Sequence, residues 1–177
     1  MNRGVLLNGL LGLTARLSLP LAHAIGAALG WLLWRVPNEA RRIAARNLML
    51  AFPEMPAGDR DRWLRRNLME TGKLLLELGP LWLWPGARVL ALVQSAAASE
   101  EALAAAAQQQ HGAILLTPHL GAWEMAGLYY SSRYPLTILY RPSRLGLDQA
   151  SVQGRGRLGG KVVATDDRGV RTLLTAL

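Results

Sequence analysis

The sequence predicts an α/β protein with a mainly parallel sheet flanked by helices. From Arg88 onward, short apolar runs alternate with helical stretches, which is typical of parallel strands joined by crossover helices. Before this point the chain has only helical patterns, and its first 36 residues are strongly apolar. We therefore divide the chain into an N-terminal membrane anchor (1–36), a helical segment (37–87) and an α/β core (88–177).

The N-terminal anchor consists mostly of Leu, Ala, Gly and Trp. A membrane-spanning helix needs about 20 apolar residues, and the run from Leu17 to Trp34 supplies nearly that number. A spanning helix would tolerate His23 within this run, and a helix that lies in the membrane interface is an equal alternative. Arginines follow the anchor at positions 41, 42 and 46, which predicts that the rest of the chain lies on the cytoplasmic side.

The helical segment contains two predicted helices. The first starts at Pro37 and ends near Leu50, before Phe52-Pro53, and the second runs from Asp59 to Gly79-Pro80. Apolar residues recur on the second helix at spacings of three and four, which predicts that they form its buried face: Leu64, Leu68, Thr71, Leu75 and Leu78. An aromatic corner formed by Trp82, Trp84 and Pro85 follows.

The α/β core is predicted to hold four strands and four helices. The strands are expected over 89–93, 113–117, 136–140 and 161–164. The helices are expected over 100–110, capped by Ser99, and over 122–132, 148–156 and 168–177. Asp166 and Asp167 are interpreted as the start of the last helix rather than as metal ligands.

His119 and Glu124 are the candidate catalytic pair. His119 follows the second predicted strand, and Glu124 lies in the first turn of the next helix. In this arrangement the carboxylate can reach one imidazole nitrogen and raise the basicity of the other, which makes His119 a candidate general base. A structural histidine, and a glutamate placed only by the helix dipole, form the alternative.

Composition narrows the choice of partner. Apolar residues make up 51% of the chain, charged residues 18%, and the net charge is +8, so an anionic partner is expected. The arginines are scattered among apolar helices without a nucleic-acid recognition motif, so anionic membrane lipids fit better than nucleic acid. The chain has no cysteine and three histidines, which excludes disulfides and argues against a histidine-rich metal site.

Three motifs in order carry a family resemblance. They are His119-Leu-Gly-Ala-Trp-Glu124, Leu139-Tyr-Arg-Pro142 and Gly154-Arg-Gly-Arg-Leu-Gly159. Together they resemble the late acyltransferases of lipid A biosynthesis, the lauroyl and myristoyl transferases, within the glycerolipid acyltransferases that share a His-x4-Asp/Glu signature. Ala122 departs from the Asn that is usual in this family, which affects a supporting hydrogen bond and leaves the pair itself intact.

The resemblance implies a membrane-associated acyltransferase of the bacterial inner membrane, with its catalytic side facing the cytoplasm. The acyl chain would pass from acyl carrier protein to a hydroxyl of a phosphorylated glycolipid, a lipid A precursor, with His119 as base and Glu124 orienting it. Arg141, Arg155 and Arg157 would bind the acceptor phosphate or the acyl donor. No metal or redox cofactor is implied.

The same resemblance implies further strand and helix units after Leu177, so we expect a fragment or an unusually short relative. Two functional alternatives stay open. One is acyl transfer to another acceptor, a glycerophospholipid or a phosphatidylinositol mannoside. The other is a non-catalytic membrane protein that binds anionic lipid.

Overall fold

The computed structural model describes residues 3–94, 97–108, 112–142 and 148–176. The helices in these ranges are α1 (Arg3–Thr14), α2 (Leu19–Arg35), α3 (Glu39–Ala51), α4 (Ala57–Leu83), α5 (Gly86–Leu90), α6 (Ala97–Gln108), α7 (Trp123–Ser131), α8 (Asp148–Gly156) and α9 (Asp167–Thr175). The strands are β1 (Thr137–Tyr140) and β2 (Lys161–Ala164). The described fold is therefore α/β, mostly helical with a small parallel sheet, and the α/β prediction holds in this form.

The chain divides into two compact units. One comprises Leu11–Pro80, and the other comprises Met1–Leu10 with Leu81–Leu177. We call them the helical unit and the sheet unit. The three-part division made from the sequence stays a prediction.

In the helical unit, α2 packs on α4 through small residues. Ala22, Gly26 and Gly30 lie four residues apart and are buried. A Cβ atom on Gly26 would lie 2.5 Å from the carbonyl oxygen of Gly72, so the two backbones are almost in contact. Spacing of this kind, small residues four apart, lets helices approach closely in membranes.

This close approach decides which face of α4 is buried. Leu68 and Leu76 flank Gly72 by one turn each and are buried, whereas Thr71 and Leu75 are exposed, so that part of the predicted stripe is wrong. The predicted end at Gly79-Pro80 is also wrong, because α4 continues to Leu83 with Pro80 inside it. The predicted helix from Pro37 to Leu50 is confirmed as α3.

In the part of the chain that the structure describes, no single helix has both the length and the apolar composition for a membrane crossing. Two helices, α2 and α3, meet that requirement only when taken together, and they are bent by 81° at their junction. The membrane anchor stays a prediction.

In the sheet unit, β1 and β2 are parallel, with Thr137 opposite Lys161 and Tyr140 opposite Ala164. Both strands were predicted, as were the helices α7 and α8 that contact one another beside them. α9 was also predicted, and the Asp166 side chain caps it by accepting a hydrogen bond from the Gly169 amide at 2.7 Å.

Two predicted strands are wrong. Residues 86–90 form α5, and Val89, predicted as a strand residue, is completely buried in that helix. A short apolar run does not by itself distinguish a strand from a buried helix. Residues 113–117 form neither a strand nor a helix and have no strand partner among the described residues, and Ile114 and Leu116 are 75% and 85% exposed. Extended backbone becomes a strand only when a neighbour takes its hydrogen bonds.

The helix predicted over 100–110 is found as α6, but it begins at Ala97, so Ser99 is not its cap. Gln109, Gln110 and Leu177, at the ends of predicted helices, lie outside the described residues. The predicted aromatic corner belongs to the core of the sheet unit, where Trp82 and Trp84 are buried.

Candidate active site

A cleft of about 500 Å³ in the sheet unit contains most of the predicted site residues. The strand β1 forms one wall, the N-terminal end of α7 forms another, and the segment before α7 and one side chain of α8 complete it. Its polar side chains include His119, Glu124, Arg141 and Arg155. The cleft therefore brings together four of the five predicted residues.

Glu124 is held by Arg155. The Arg155 Nε lies 3.1 Å and 3.0 Å from the two carboxylate oxygens, and its Nη2 lies 2.5 Å from Oε1. The Glu124 side chain is only 3% exposed and that of Arg155 is 23% exposed. A buried carboxylate needs such a partner, because desolvation without one is costly.

His119 is exposed and lies before α7. Gly121, two residues on, has a positive φ of 58°, a conformation that glycine adopts without steric cost. Among the described residues, the hydrogen bonds to the Glu124 carboxylate come from Arg155, and none comes from His119. The structure thus places the predicted pair on one cleft without a direct bond between them, and its catalytic role stays a prediction.

The Trp123 ring contacts both His119 and Arg155. Its ring centroid lies 4.3 Å from that of His119, and the Arg155 guanidinium carbon lies 5.3 Å from the Trp123 ring. Trp123 was not among the predicted site residues. Its position directly before Glu124 in the first motif was the available signal.

The remaining arginines occupy different environments. Arg141 follows β1, lines the cleft and is exposed. Arg157 donates one hydrogen bond to the Leu81 carbonyl at 2.8 Å and another to the Trp84 carbonyl. Burial lowers the pKa of Arg157 from its ordinary value. Its guanidinium therefore ties the turn after α8 to the end of α4, and Arg157 is not among the residues that line the cleft.

Among the described residues, no three His, Asp or Glu side chains come together as a metal site, so we assign none to a metal.

A family profile and individual known proteins that are similar to this chain agree with one another. The profile of a family described as bacterial lipid A biosynthesis acyltransferase matches residues 4–177. A lipid A biosynthesis acyltransferase of Haemophilus influenzae is 30% identical over 161 residues, covering 89% of this chain and 50% of that protein. A lipid A biosynthesis lauroyltransferase of Escherichia coli is 28% identical over 169 residues, covering 96% of this chain and 54% of that protein.

A lipid A biosynthesis palmitoleoyltransferase of Escherichia coli is 27% identical over 169 residues, with the same coverage. The chain thus spans about half the length of the curated relatives it matches. No solved structure matches it.

Proposed function

The chain belongs to the bacterial lipid A biosynthesis acyltransferase family, and we propose that the protein carrying it transfers a fatty acyl chain from acyl carrier protein to a hydroxyl of a lipid A precursor. The observation that carries this proposal is the cleft, which brings His119 and Glu124 together with Arg141 and Arg155. An acid, a base and cations in one cleft suit transfer to a phosphorylated acceptor.

In the proposed reaction, His119 takes the proton from the acceptor hydroxyl. The hydroxyl oxygen attacks the thioester carbonyl carbon, a C–O bond forms, and the C–S bond breaks as the tetrahedral intermediate collapses. The proton on His119 then passes to the departing thiolate of the carrier protein. His119 is exposed at the cleft, where a hydroxyl group can reach its imidazole.

Glu124 supports the imidazolium by its charge in this proposal, and Arg155 holds the carboxylate. The Arg155 contacts favour a positioning role over the phosphate-binding role implied by the sequence, because its Nε and one Nη are already engaged. Arg141 is the better candidate for the acceptor phosphate, because it is exposed at the cleft. For Arg157, the bonds to two backbone carbonyls favour a structural role.

Backbone amides at the start of α7 are the proposed donors to the oxyanion. The amides of Trp123 and Met125 donate to the carbonyls of Gly121 and Ala122, each at 2.9 Å. An oxyanion bound there would have to compete with these two carbonyl oxygens for the amide hydrogens.

The proposal includes membrane contact through α1 and α2 in the bacterial inner membrane, with the cleft on the cytoplasmic side. Small residues of α2 face α4, and the following large apolar side chains of α2 are exposed: Leu21, Ile25, Leu29, Leu32 and Leu33. Arginines at positions 41, 42 and 46 follow this helix, and a cytoplasmic location suits them.

The experiment is an acyl-transfer assay on the longest polypeptide that carries this sequence. It would offer an acyl carrier protein thioester or acyl coenzyme A with a lipid A precursor, a glycerophosphate or a phosphatidylinositol mannoside. We expect turnover with the carrier protein and the lipid A precursor. Turnover only with another acceptor would replace the substrate assignment, and binding to anionic lipid without turnover on any pair would favour the non-catalytic alternative.

Arg141→Ala tests the acceptor site within the same assay. We expect KM for the phosphorylated acceptor to rise about tenfold or more, because a charged hydrogen bond typically contributes 1.5–3 kcal/mol. Arg133→Ala is the matched control, since Arg133 pairs with Glu100 at 2.9 Å and is not among the residues that line the cleft. Equal acceptor kinetics for both variants would remove the phosphate role from Arg141.

A further inference from the structure

The outward face of α3 combines large apolar and basic side chains. Ile43 and Leu50 are 50% and 67% exposed and lie seven residues apart, which puts them on the same side of the helix. Arg42 and Arg46 are exposed beside them. The opposite side of α3, which includes Ala44 and Leu48, is partly covered. An outward face on a helix of a water-soluble domain is ordinarily polar, so this one requires an explanation.

The charges on this face are available to a partner. Arg42 makes one long ion pair, 3.8 Å to Glu39, with both side chains more than three-quarters exposed. An exposed pair of this kind contributes little. For Arg46, the described part of the chain offers no hydrogen-bond or ion-pair partner. Two guanidinium groups therefore flank the exposed apolar residues, one of them held only by a long, exposed ion pair.

The junction of α2 and α3 resembles a membrane interface in its chemistry. The Arg35 guanidinium lies 5.1 Å from the Trp31 ring and 5.0 Å from the Trp34 ring. Tryptophan and arginine are both favoured where apolar lipid meets the headgroups. Because α3 is bent by 81° from α2, an α2 that enters the bilayer along its normal leaves α3 close to the bilayer plane.

A second aromatic pair extends this surface at the far end of α3. Phe52, directly after the helix, contacts Trp63 of α4 with ring centroids 5.9 Å apart. Both rings are about half exposed, at 45% and 52%. Aromatic rings that are half exposed are suited to the headgroup boundary, where one side is apolar and the other is wet.

We propose that Ile43, Leu50, Arg42, Arg46 and the Phe52–Trp63 pair form a contact surface for an anionic lipid bilayer. In this arrangement α3 lies in the headgroup layer, its leucine and isoleucine reach the acyl boundary, and its arginines bind lipid phosphates. A second copy of the chain is a poorer occupant, because a two-fold contact on this face would bring the arginines of both copies together. The proposal rests on the membrane contact proposed for α2 and is independent of acyl transfer.

The test uses single-cysteine variants with a spin label, which the cysteine-free sequence allows without background. Labels at Leu50→Cys and Ile43→Cys would report on α3, a label at Leu29→Cys on α2, and a label at the exposed Gln153→Cys on the sheet unit. Accessibility to oxygen and to a water-soluble nickel complex would be measured on vesicles of phosphatidylcholine with and without phosphatidylglycerol.

We expect the two α3 labels to report headgroup depth on phosphatidylglycerol vesicles, shallower than Leu29→Cys, while Gln153→Cys stays in water. The proposal is overturned if the α3 labels match Gln153→Cys while the α2 label is buried in lipid. An α2 label that also stays in water overturns it together with the membrane contact of α2. Spin–spin broadening of Leu50→Cys in detergent would identify a second copy as the occupant, against the proposal.

A charge variant provides the second measurement. The double change Arg42→Gln, Arg46→Gln should weaken binding to phosphatidylglycerol vesicles by about fivefold for each arginine removed, and leave binding to pure phosphatidylcholine unchanged. Arg157 is half-buried and bonded to two backbone carbonyls, which makes it unsuitable as a control, so the double change Arg168→Gln, Arg171→Gln at exposed positions of α9 serves as the matched loss of two charges. An equal loss in both variants would overturn the assignment to α3.

Discussion

Removing Arg155 should destabilise the sheet unit much more than removing Arg155 and the charge of Glu124 together. In Arg155→Met the aliphatic volume is largely kept, but the Glu124 carboxylate, only 3% exposed, loses the donor of three hydrogen bonds. Breaking a buried ion pair on one side typically costs about 3–5 kcal/mol. Because Arg155 is itself 23% exposed, water can partly replace it, and we expect a loss near 3 kcal/mol.

The double variant Glu124→Gln, Arg155→Met removes the uncompensated charge. Its free energy of unfolding should lie within about 1 kcal/mol of that of the parent. Part of this difference is the lost contact of Arg155 with the Trp123 ring, which typically contributes about 0.5–1 kcal/mol. Urea unfolding in detergent, followed by tryptophan fluorescence, gives the free energies of all four proteins in the cycle. If the single and double variants are equally stable, the carboxylate does not depend on Arg155 and the positioning role fails.

Two further predictions concern the helical unit. Burial raises the pKa of Glu77 above its ordinary value of 4.5, an effect that His23, 2.8 Å away, only partly offsets. Because the folded-state pKa is raised, the contribution of Glu77 to the free energy of unfolding is fully present below pH 4.5 and declines as the pH rises through the folded-state pKa. Glu77→Gln should therefore be more stable than the parent at pH 8 and not at pH 4, as measured by parallel urea titrations. A difference between the two proteins that is the same at both pH values would contradict this. Gly72→Ala should lower the midpoint of thermal unfolding, because a Cβ there meets the backbone of Gly26. Gly58→Ala, where a Cβ meets open space, is the control and should leave the midpoint unchanged or raise it. Equal midpoints for the two variants would contradict the close packing of α2 on α4.

The elements predicted correctly are those with strong local signals. Asn38 and Asp166 cap α3 and α9 through their side chains, and such caps are readable from sequence. The two confirmed strands contain β-branched residues and follow turns with Pro or Gly. The local pattern was sufficient in these places because local and tertiary preferences agree.

The elements predicted wrongly depend on tertiary partners. The run over 113–117 has strand composition, but strand structure requires a hydrogen-bonding neighbour, and the described residues supply none. Val89 is apolar enough for a strand, yet Pro85 lies at the N-cap of α5, and the Pro85 carbonyl accepts hydrogen bonds from the amides of Arg88 and Val89. The length of α4 beyond Pro80 likewise follows from packing, since Pro80 is completely buried.

The candidate site was predictable in its membership and not in its pairing. The motifs locate His119, Glu124, Arg141 and Arg155, and the structure gathers these four in one cleft. The bond from Arg155 to Glu124 joins residues 31 positions apart and depends on how α7 packs on α8, which no local spacing encodes. Arg157, two residues further along the chain and directly after α8, donates instead to the carbonyls of Leu81 and Trp84.

The most direct test of the proposed chemistry is the rate of acyl transfer by His119→Ala in the longest polypeptide that carries this sequence. Because general base catalysis typically contributes about 10²–10⁴-fold, the rate from an acyl carrier protein thioester should fall by at least 10²-fold. Leu120→Ala, a change at the next residue, 80% exposed, is the control and should keep the parental rate. If His119→Ala transfers acyl groups as fast as the parent while Leu120→Ala is also unaffected, His119 is not the base.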